Sequence, residues 1–208
     1  QRVPFAAATQ APRSVVLAAS DGDYDYFTRY ETGGQYPVFA RLDESGAESI
    51  LLHGDKEADG QSFFRVGTCT HSPDHTRLAY AVDLNGSERF EVKVRDLESG
   101  TDLSDTITDA KGDVVWANDG ETLFYTILDD NHRPYRIMRH KVGNTVEKDT
   151  VIYEEKDPGF FLGLGKSQSG KFIEISTHDH TTSEVHLLDA DDPAGDLRTV
   201  APRDTDVE

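Results

Sequence analysis

The chain repeats a strand-rich unit about every 45 residues, and that spacing restricts it to very few architectures. Polar turns mark the repeat at Ser72-Pro73-Asp74-His75, Ala117-Asn118-Asp119-Gly120 and Lys166-Ser167-Gln168-Ser169-Gly170. Each is followed by an apolar alternating run: Leu78–Val82, Leu123–Ile127 and Phe172–Ile175. Asp74 and Asp119 lie 45 positions apart, and Asp119 and Ser169 lie 50 apart. A period of this size built only from short strands predicts a β-propeller, each repeat being one four-stranded antiparallel blade. No segment shows helical periodicity beyond a turn or two. The fold class is therefore all-β, with about four blades.

Residues 1–13 read as a lead-in or linker, and residues 14–208 as a partial propeller with blades near 14–60, 61–110, 111–157 and 158–203. Strands are expected in the first blade at Val15–Ala18, Tyr24–Tyr30, Pro37–Leu42 and Ser49–Leu52, followed by the polar stretch Gly54–Gln61. The second offers Arg65–Cys69, Leu78–Val82, Phe90–Asp96 and an edge strand near Asp102–Ile107. The third offers Val114–Trp116, Thr122–Leu128, Tyr135–His140 and Thr150–Tyr153, and the fourth Phe161–Leu164, Phe172–Ser176, Glu184–Leu188 and Arg198–Val200. Alternation places Val92 and Val94 on one face. Four blades can close a small ring or form an arc of a larger propeller. An open arc leaves two apolar blade faces in water, which predicts pairing of two arcs into a dimer.

Charge narrows the partners. Thirty-nine acidic against twenty-one basic residues give a net charge of −18, which disfavours nucleic acid and anionic membrane surfaces. No apolar stretch approaches the roughly 18 residues of a membrane span, and Phe5-Ala6-Ala7-Ala8 is too short for a secretory signal core. The single Cys69 excludes an intramolecular disulfide and fits a reducing compartment. A cytoplasmic location is expected, with Cys69 as a small buried hydrophobe.

Four segments resemble chemical motifs and depart from them. Gly165-Lys166-Ser167 ends like a phosphate-binding loop, but Phe160 stands at the first glycine position and no helix follows. The same stretch approaches a Gly-x-Ser-x-Gly nucleophile elbow, but Ser169 replaces its last glycine. Asp21, Asp23 and Asp25 alternate like calcium ligands, yet Tyr26 and Thr32 occupy the positions that need glycine and glutamate. His178, His180 and His186 could converge as metal ligands only if the expected loop Thr177–Ser183 folded back. An enzyme that used the propeller tunnel directly would need clustered ligands on the inner strands, which the sequence does not display. No catalytic, cofactor-binding or metal-ligating residue is assigned.

Several stretches in order resemble the propeller of oligopeptidase B (protease II), in the prolyl oligopeptidase family of serine peptidases. They include Tyr24-Asp25-Tyr26-Phe27-Thr28-Arg29, His71-Ser72-Pro73-Asp74, Val94–Gly100, Val115-Trp116-Ala117-Asn118-Asp119, Pro134-Tyr135-Arg136, Arg139–Gly143, Tyr153–Asp157 and Thr182–Val185. The surroundings of His140 and Glu154-Glu155 resemble oligopeptidase B more than prolyl oligopeptidase proper. The resemblance implies a seven-bladed propeller capping an α/β-hydrolase domain that carries a Ser-Asp-His triad. It implies cleavage of short peptides after Arg or Lys, no metal or organic cofactor, and a propeller that excludes folded proteins. The array stops at Glu208 with no counterpart of the nucleophile elbow, so the chain is expected to be an incomplete propeller, inert alone, whose partners are peptide substrate and the absent hydrolase domain. Trp116, Asp119 and Tyr125 are expected to serve blade packing and turns. A self-standing four-bladed module that binds a peptide or protein is the alternative.

Overall fold

Alternating apolar and polar residues, interrupted by turns rich in Gly, Asp and Ser, set the strands of this chain. The structure, a computed structural model, describes residues 15–204; the expected lead-in at residues 1–13 lies outside the described residues. The chain divides after Gln61 into two compact units. The first is one antiparallel sheet of β1 (Val15–Asp21), β2 (Tyr24–Arg29), β3 (Val38–Leu42) and β4 (Glu48–His53), in that spatial order. A single helical turn, α1 (Gly54–Glu57), occupies part of the stretch expected to be a polar connection.

The second unit holds the other repeats. β5 (Arg65–His71), β6 (Arg77–Asp83), β7 (Phe90–Asp96), β8 (Thr101–Trp116), β9 (Thr122–Leu128), β10 (Pro134–Lys141) and β11 (Thr150–Glu154) form one seven-stranded sheet in sequential order. β12 (Phe161–Lys166), β13 (Phe172–His178), β14 (Ser183–Asp189) and β15 (Arg198–Ala201) form a four-stranded one. Every pairing is antiparallel and joins strands consecutive in sequence. The architecture is that of consecutive propeller blades.

β8 departs from the sequence reading. Asp102–Ile107 and Val114–Trp116 look like separate strands because Asp109-Ala110-Lys111-Gly112 has the composition of a turn. Instead the chain runs through as one strand of 16 residues. Its first half pairs with β7 and its second half with β9, and Ala110 registers with both Phe90 and Ile127. Asp109 at φ 58° and Gly112 at φ 97° are accommodated where the register shifts, as bulges within the strand. β8 is thus the outer strand of one blade and the inner strand of the next.

Two apolar clusters flank the blade containing β9 and β10. Leu123 and Tyr125 face a cluster with Val92, Val94, Ile107 and Trp116, whereas Phe124 and Ile137 face one with Leu162, Ile173, Ile175 and Leu188. Burial on both faces explains why Leu123–Leu128 is almost continuously apolar. Phe90, Val92 and Val94 are buried along one face of β7, as alternation predicts.

The repeated turns have a common chemistry. Asp119 accepts the N–H groups of Glu121 and Thr122 at 2.9 and 2.8 Å and the Thr122 hydroxyl at 2.7 Å. Asp74, one repeat earlier, likewise accepts the N–H and hydroxyl of Thr76 at 3.2 and 2.8 Å. Successive blades are tied through these turns: Arg77 Nη1 donates to Gly120 O at 2.7 Å, and Asn118 Nδ2 to Gly170 O at 3.1 Å. A second set of ties uses Arg89, which donates to Asp129 O at 2.6 Å, and Arg133, which donates to Asp157 O at 3.0 Å.

Candidate functional site

The inner strands of the second unit are β5, the second half of β8, and β12. They carry small residues where they crowd together. A Cβ on Gly67 of β5 would lie 3.0 Å from Gly112 O of β8, so only glycine lets these strands approach so closely. The polar side chains nearby are engaged by the protein. Lys111 Nζ lies 3.2 Å from Asp113 Oδ2 and donates to Leu162 O at 3.2 Å, linking β8 to β12. Lys166 donates to Trp116 O at 3.0 Å and to Asn118 Oδ1 at 2.6 Å.

Those bonds give the residues of the phosphate-loop resemblance structural partners. Lys166 faces the neighbouring blade, and Ser167 turns the chain, with its Oγ accepting Phe172 N–H at 3.0 Å. Ser169 sits in the same turn beside Ser167. Asp21, Gly22, Asp23 and Tyr24 form a tight hairpin, with Asp21 paired to Tyr24 and Gly22 at φ 55°. The Asp25 carboxylate accepts the Ser20 hydroxyl, so these residues form no twelve-residue ligand loop. The three histidines are not brought together. His178 is exposed beside the Phe161 ring, His180 lies in the exposed turn, and His186 is buried on β14 against Tyr153.

Cys69 is partly buried on β5, and burial pushes its thiol up to about 12. At neutral pH the reactive thiolate is therefore scarce. Thiol reagents at pH 8 are expected to label Cys69 slowly in the folded chain and rapidly in denaturant. Equal rates in the two states, followed by absorbance of the released reporter, would show that the site is open.

Trp116, Asp119 and Tyr125 hold the structural roles expected of them. Trp116 is 3% exposed, and its Nε1–H donates to Thr70 O of the preceding blade at 3.1 Å. Tyr125 donates its hydroxyl to Asp149 Oδ2 at 2.8 Å, and burial together with that carboxylate pushes its pKa upward.

Two buried ionic groups were not visible in the sequence as assemblies. One centres on His140, whose ring nitrogens face Asp105 and Asp149. The other joins the end of β11 to the segment after β15. Arg203 Nη2 donates to Glu155 Oε2 at 2.6 Å and to Thr177 Oγ1 at 2.8 Å, and its guanidinium carbon lies 3.6 Å from the Phe160 ring centroid. Burial works to raise the Glu155 pKa, but hydrogen bonds from Arg203 and the Asp157 N–H outweigh it and hold the carboxyl below its usual range. Burial and the charges of Glu155 and Glu184 push the Tyr153 phenol, 3.2 Å from Glu155 Oε2, up to about 12. Both groups fasten blades.

One surface groove, about 300 Å³, is lined by Arg139, Lys141, Lys148, Asn144, Thr122 and Pro193 among others. Arg139 donates to Pro193 O at 2.6 Å, and Lys141 pairs with Glu121 at 3.1 Å. The protein's own acceptors thus engage two of its three cations.

Comparison with known proteins gives a consistent result. The family described as prolyl oligopeptidase, N-terminal β-propeller domain, matches residues 9–208. Protease 2 of Moraxella lacunata is 36% identical over 191 residues, covering 88% of this chain and 28% of the relative. Dipeptidyl aminopeptidase BI of Pseudoxanthomonas mexicana is 34% identical over 201 residues, with the same 88% and 28% coverage. Oligopeptidase B from Leishmania major superposes with a TM-score of 0.87 at 26% identity, covering 93% of this chain and 28% of that one. Oligopeptidase B from Trypanosoma brucei, in a closed form with covalently bound antipain, gives 0.84 at 30% identity, again covering 93% and 28%. The chain spans 28% of the length of these relatives.

Proposed function

Because this chain belongs to the prolyl oligopeptidase family through that family's N-terminal β-propeller domain, we propose that it is the substrate-admitting part of an oligopeptidase B-like serine peptidase. In this reading the parent enzyme cleaves short peptides after Arg or Lys, and the propeller keeps folded proteins from the catalytic centre. The observation that carries the reading is the extent of the match, which takes in nearly every strand and not one motif alone. The crowded inner strands support it, since small residues such as Gly67 and Gly112 let blades converge. A narrow approach passes an extended chain and stops a folded one. The charge of −18 suits basic substrates, and the lone Cys69 suits a reducing compartment such as the cytoplasm.

Catalysis is assigned to residues outside the 208 of this chain, whose only approach to a nucleophile elbow is the Ser167–Ser169 turn. A chimera tests both parts of the proposal. Residues 9–208 replace the matching segment of the Moraxella lacunata protease 2, and the isolated chain serves as control. The chimera is expected to cleave a short Arg-containing peptide and to leave a folded protein intact, while the isolated chain shows no turnover. Digestion of the folded protein would overturn the gating role. Serine-inhibitor-sensitive turnover by the isolated chain would overturn the assignment of catalysis.

A further inference from the structure

A buried imidazole held between two carboxylates joins segments far apart in the chain. His140 on β10 has 0% exposure. Its Nδ1 lies 2.7 Å from Asp149 Oδ1, and its Nε2 lies 2.9 Å from Asp105 Oδ1. Both carboxylate side chains are 1% exposed. Asp105 belongs to the half of β8 that pairs with β7, so its bond to His140 crosses from one blade to the next. Asp105 Oδ1 also accepts Gly143 N–H at 2.6 Å, and Asp149 Oδ2 accepts the Tyr125 hydroxyl at 2.8 Å.

Only the imidazolium can donate from both ring nitrogens at once. A neutral ring has one N–H, so one of its nitrogens would turn a lone pair toward a buried carboxylate oxygen. The surroundings offer little relief, because Asp105 Oδ2 is already buried without a hydrogen-bond partner. We propose that His140 is a proton-operated latch: protonated, it fastens the first half of β8 and residues 143–150 to β10, and deprotonated, it lets this seam between blades open locally.

The groups facing the imidazole are Asp105 from β8, Asp149 ahead of β11 and, through Asp149, the Tyr125 phenol of β9. Tyr125 stays protonated because burial and the Asp149 carboxylate push it upward. Burial alone would lower the His140 pKa, but the hydrogen bonds and charges of Asp149 and Asp105 outweigh it and raise the value above that of an ordinary histidine. The sign follows. The latch contributes fully below the unfolded value of about 6.5 and is lost as pH rises through the raised folded value.

Hydrogen exchange on the full chain, corrected for intrinsic chemistry and followed from about pH 6 to 9, reads the latch directly. Residues 101–107 and 143–150 are expected to lose protection by up to about tenfold per pH unit between about pH 6.5 and the raised His140 pKa, and to level off above it, while β12–β15 hold theirs. His140→Gln, which keeps one donor, should show pH-independent exchange at the level of the deprotonated wild type. If that variant does not fold, nitrogen-15 NMR of the histidine rings in the unaltered chain still decides. A buried, doubly protonated ring persisting above about pH 6.5 is expected. An apparent pKa at or below that value would overturn the latch, as would exchange at the seam that ignores pH or changes equally across all blades.

Discussion

Trp116→Ala is expected to lower the unfolding free energy of the second unit by about 3–5 kcal/mol. The indole is buried in the cluster between successive blades, with Ala79, Val92, Val94 and Tyr125 as neighbours. Its removal deletes that packing and leaves a void which this half of β8 cannot readily close, because it is held in register by β9, with Trp116 opposite Leu123. It also takes away the donor to Thr70 O, leaving an acceptor unpaired at a further cost of about 1 kcal/mol. Trp116→Phe separates the contributions, since it keeps much of the volume and loses the bond. Chemical denaturation followed by circular dichroism measures both. Fluorescence is unsuitable because Trp116 is the chain's single tryptophan. A loss below about 1 kcal/mol for the alanine variant would mean that Trp116 does not bridge the blades.

Gly112→Ala is expected to cost about 2–4 kcal/mol, from two sources that can be told apart. The residue sits at φ 97°, where a side chain is strained, and its Cβ would lie 2.8 Å from the ring of Phe90. Phe90 is itself only 6% exposed, so the ring has little room to retreat. Gly100→Ala provides the control: φ is 70° there, but nothing lies within 4 Å of the new carbon. It should show the backbone penalty alone, about 1 kcal/mol. Adding Phe90→Leu to Gly112→Ala should recover part of the loss. Equal effects of the two alanine variants would show that the bulge in β8 yields freely.

The repeat and the family resemblance were legible because turn chemistry is local. The Asp of each turn bonds to its own next few residues, so Asp74 and Asp119 announce themselves at a fixed spacing. Tyr24–Arg29 and Thr122–Leu128 likewise follow from alternation or from an unbroken apolar run. β8 was misread because Asp109 and Gly112 carry the same composition whether the chain reverses or merely bulges. Only the partner strands decide between those outcomes. The His140 group was hidden for a different reason. Asp105, Tyr125, His140 and Asp149 sit on separate strands, and each alone looks like an ordinary polar residue. A signal did exist: His140 shares a strand face with Met138, which packs against one cluster, while Ile137 on the other face belongs to the second. A histidine there must be buried, and a buried histidine needs partners.

The strictly sequential strand order also bears on how the chain acquires its structure. Since each strand among the described residues pairs with the one before or after it, none of these pairings waits for a distant segment, and the entropy lost in closing each loop stays small. Such a chain can assemble one hairpin at a time as it is synthesised, from whichever blade forms first. β8 sets the limit to that independence. A strand shared by two blades makes the second half-formed as soon as the first is complete, so the nucleus that forms one also templates its neighbour.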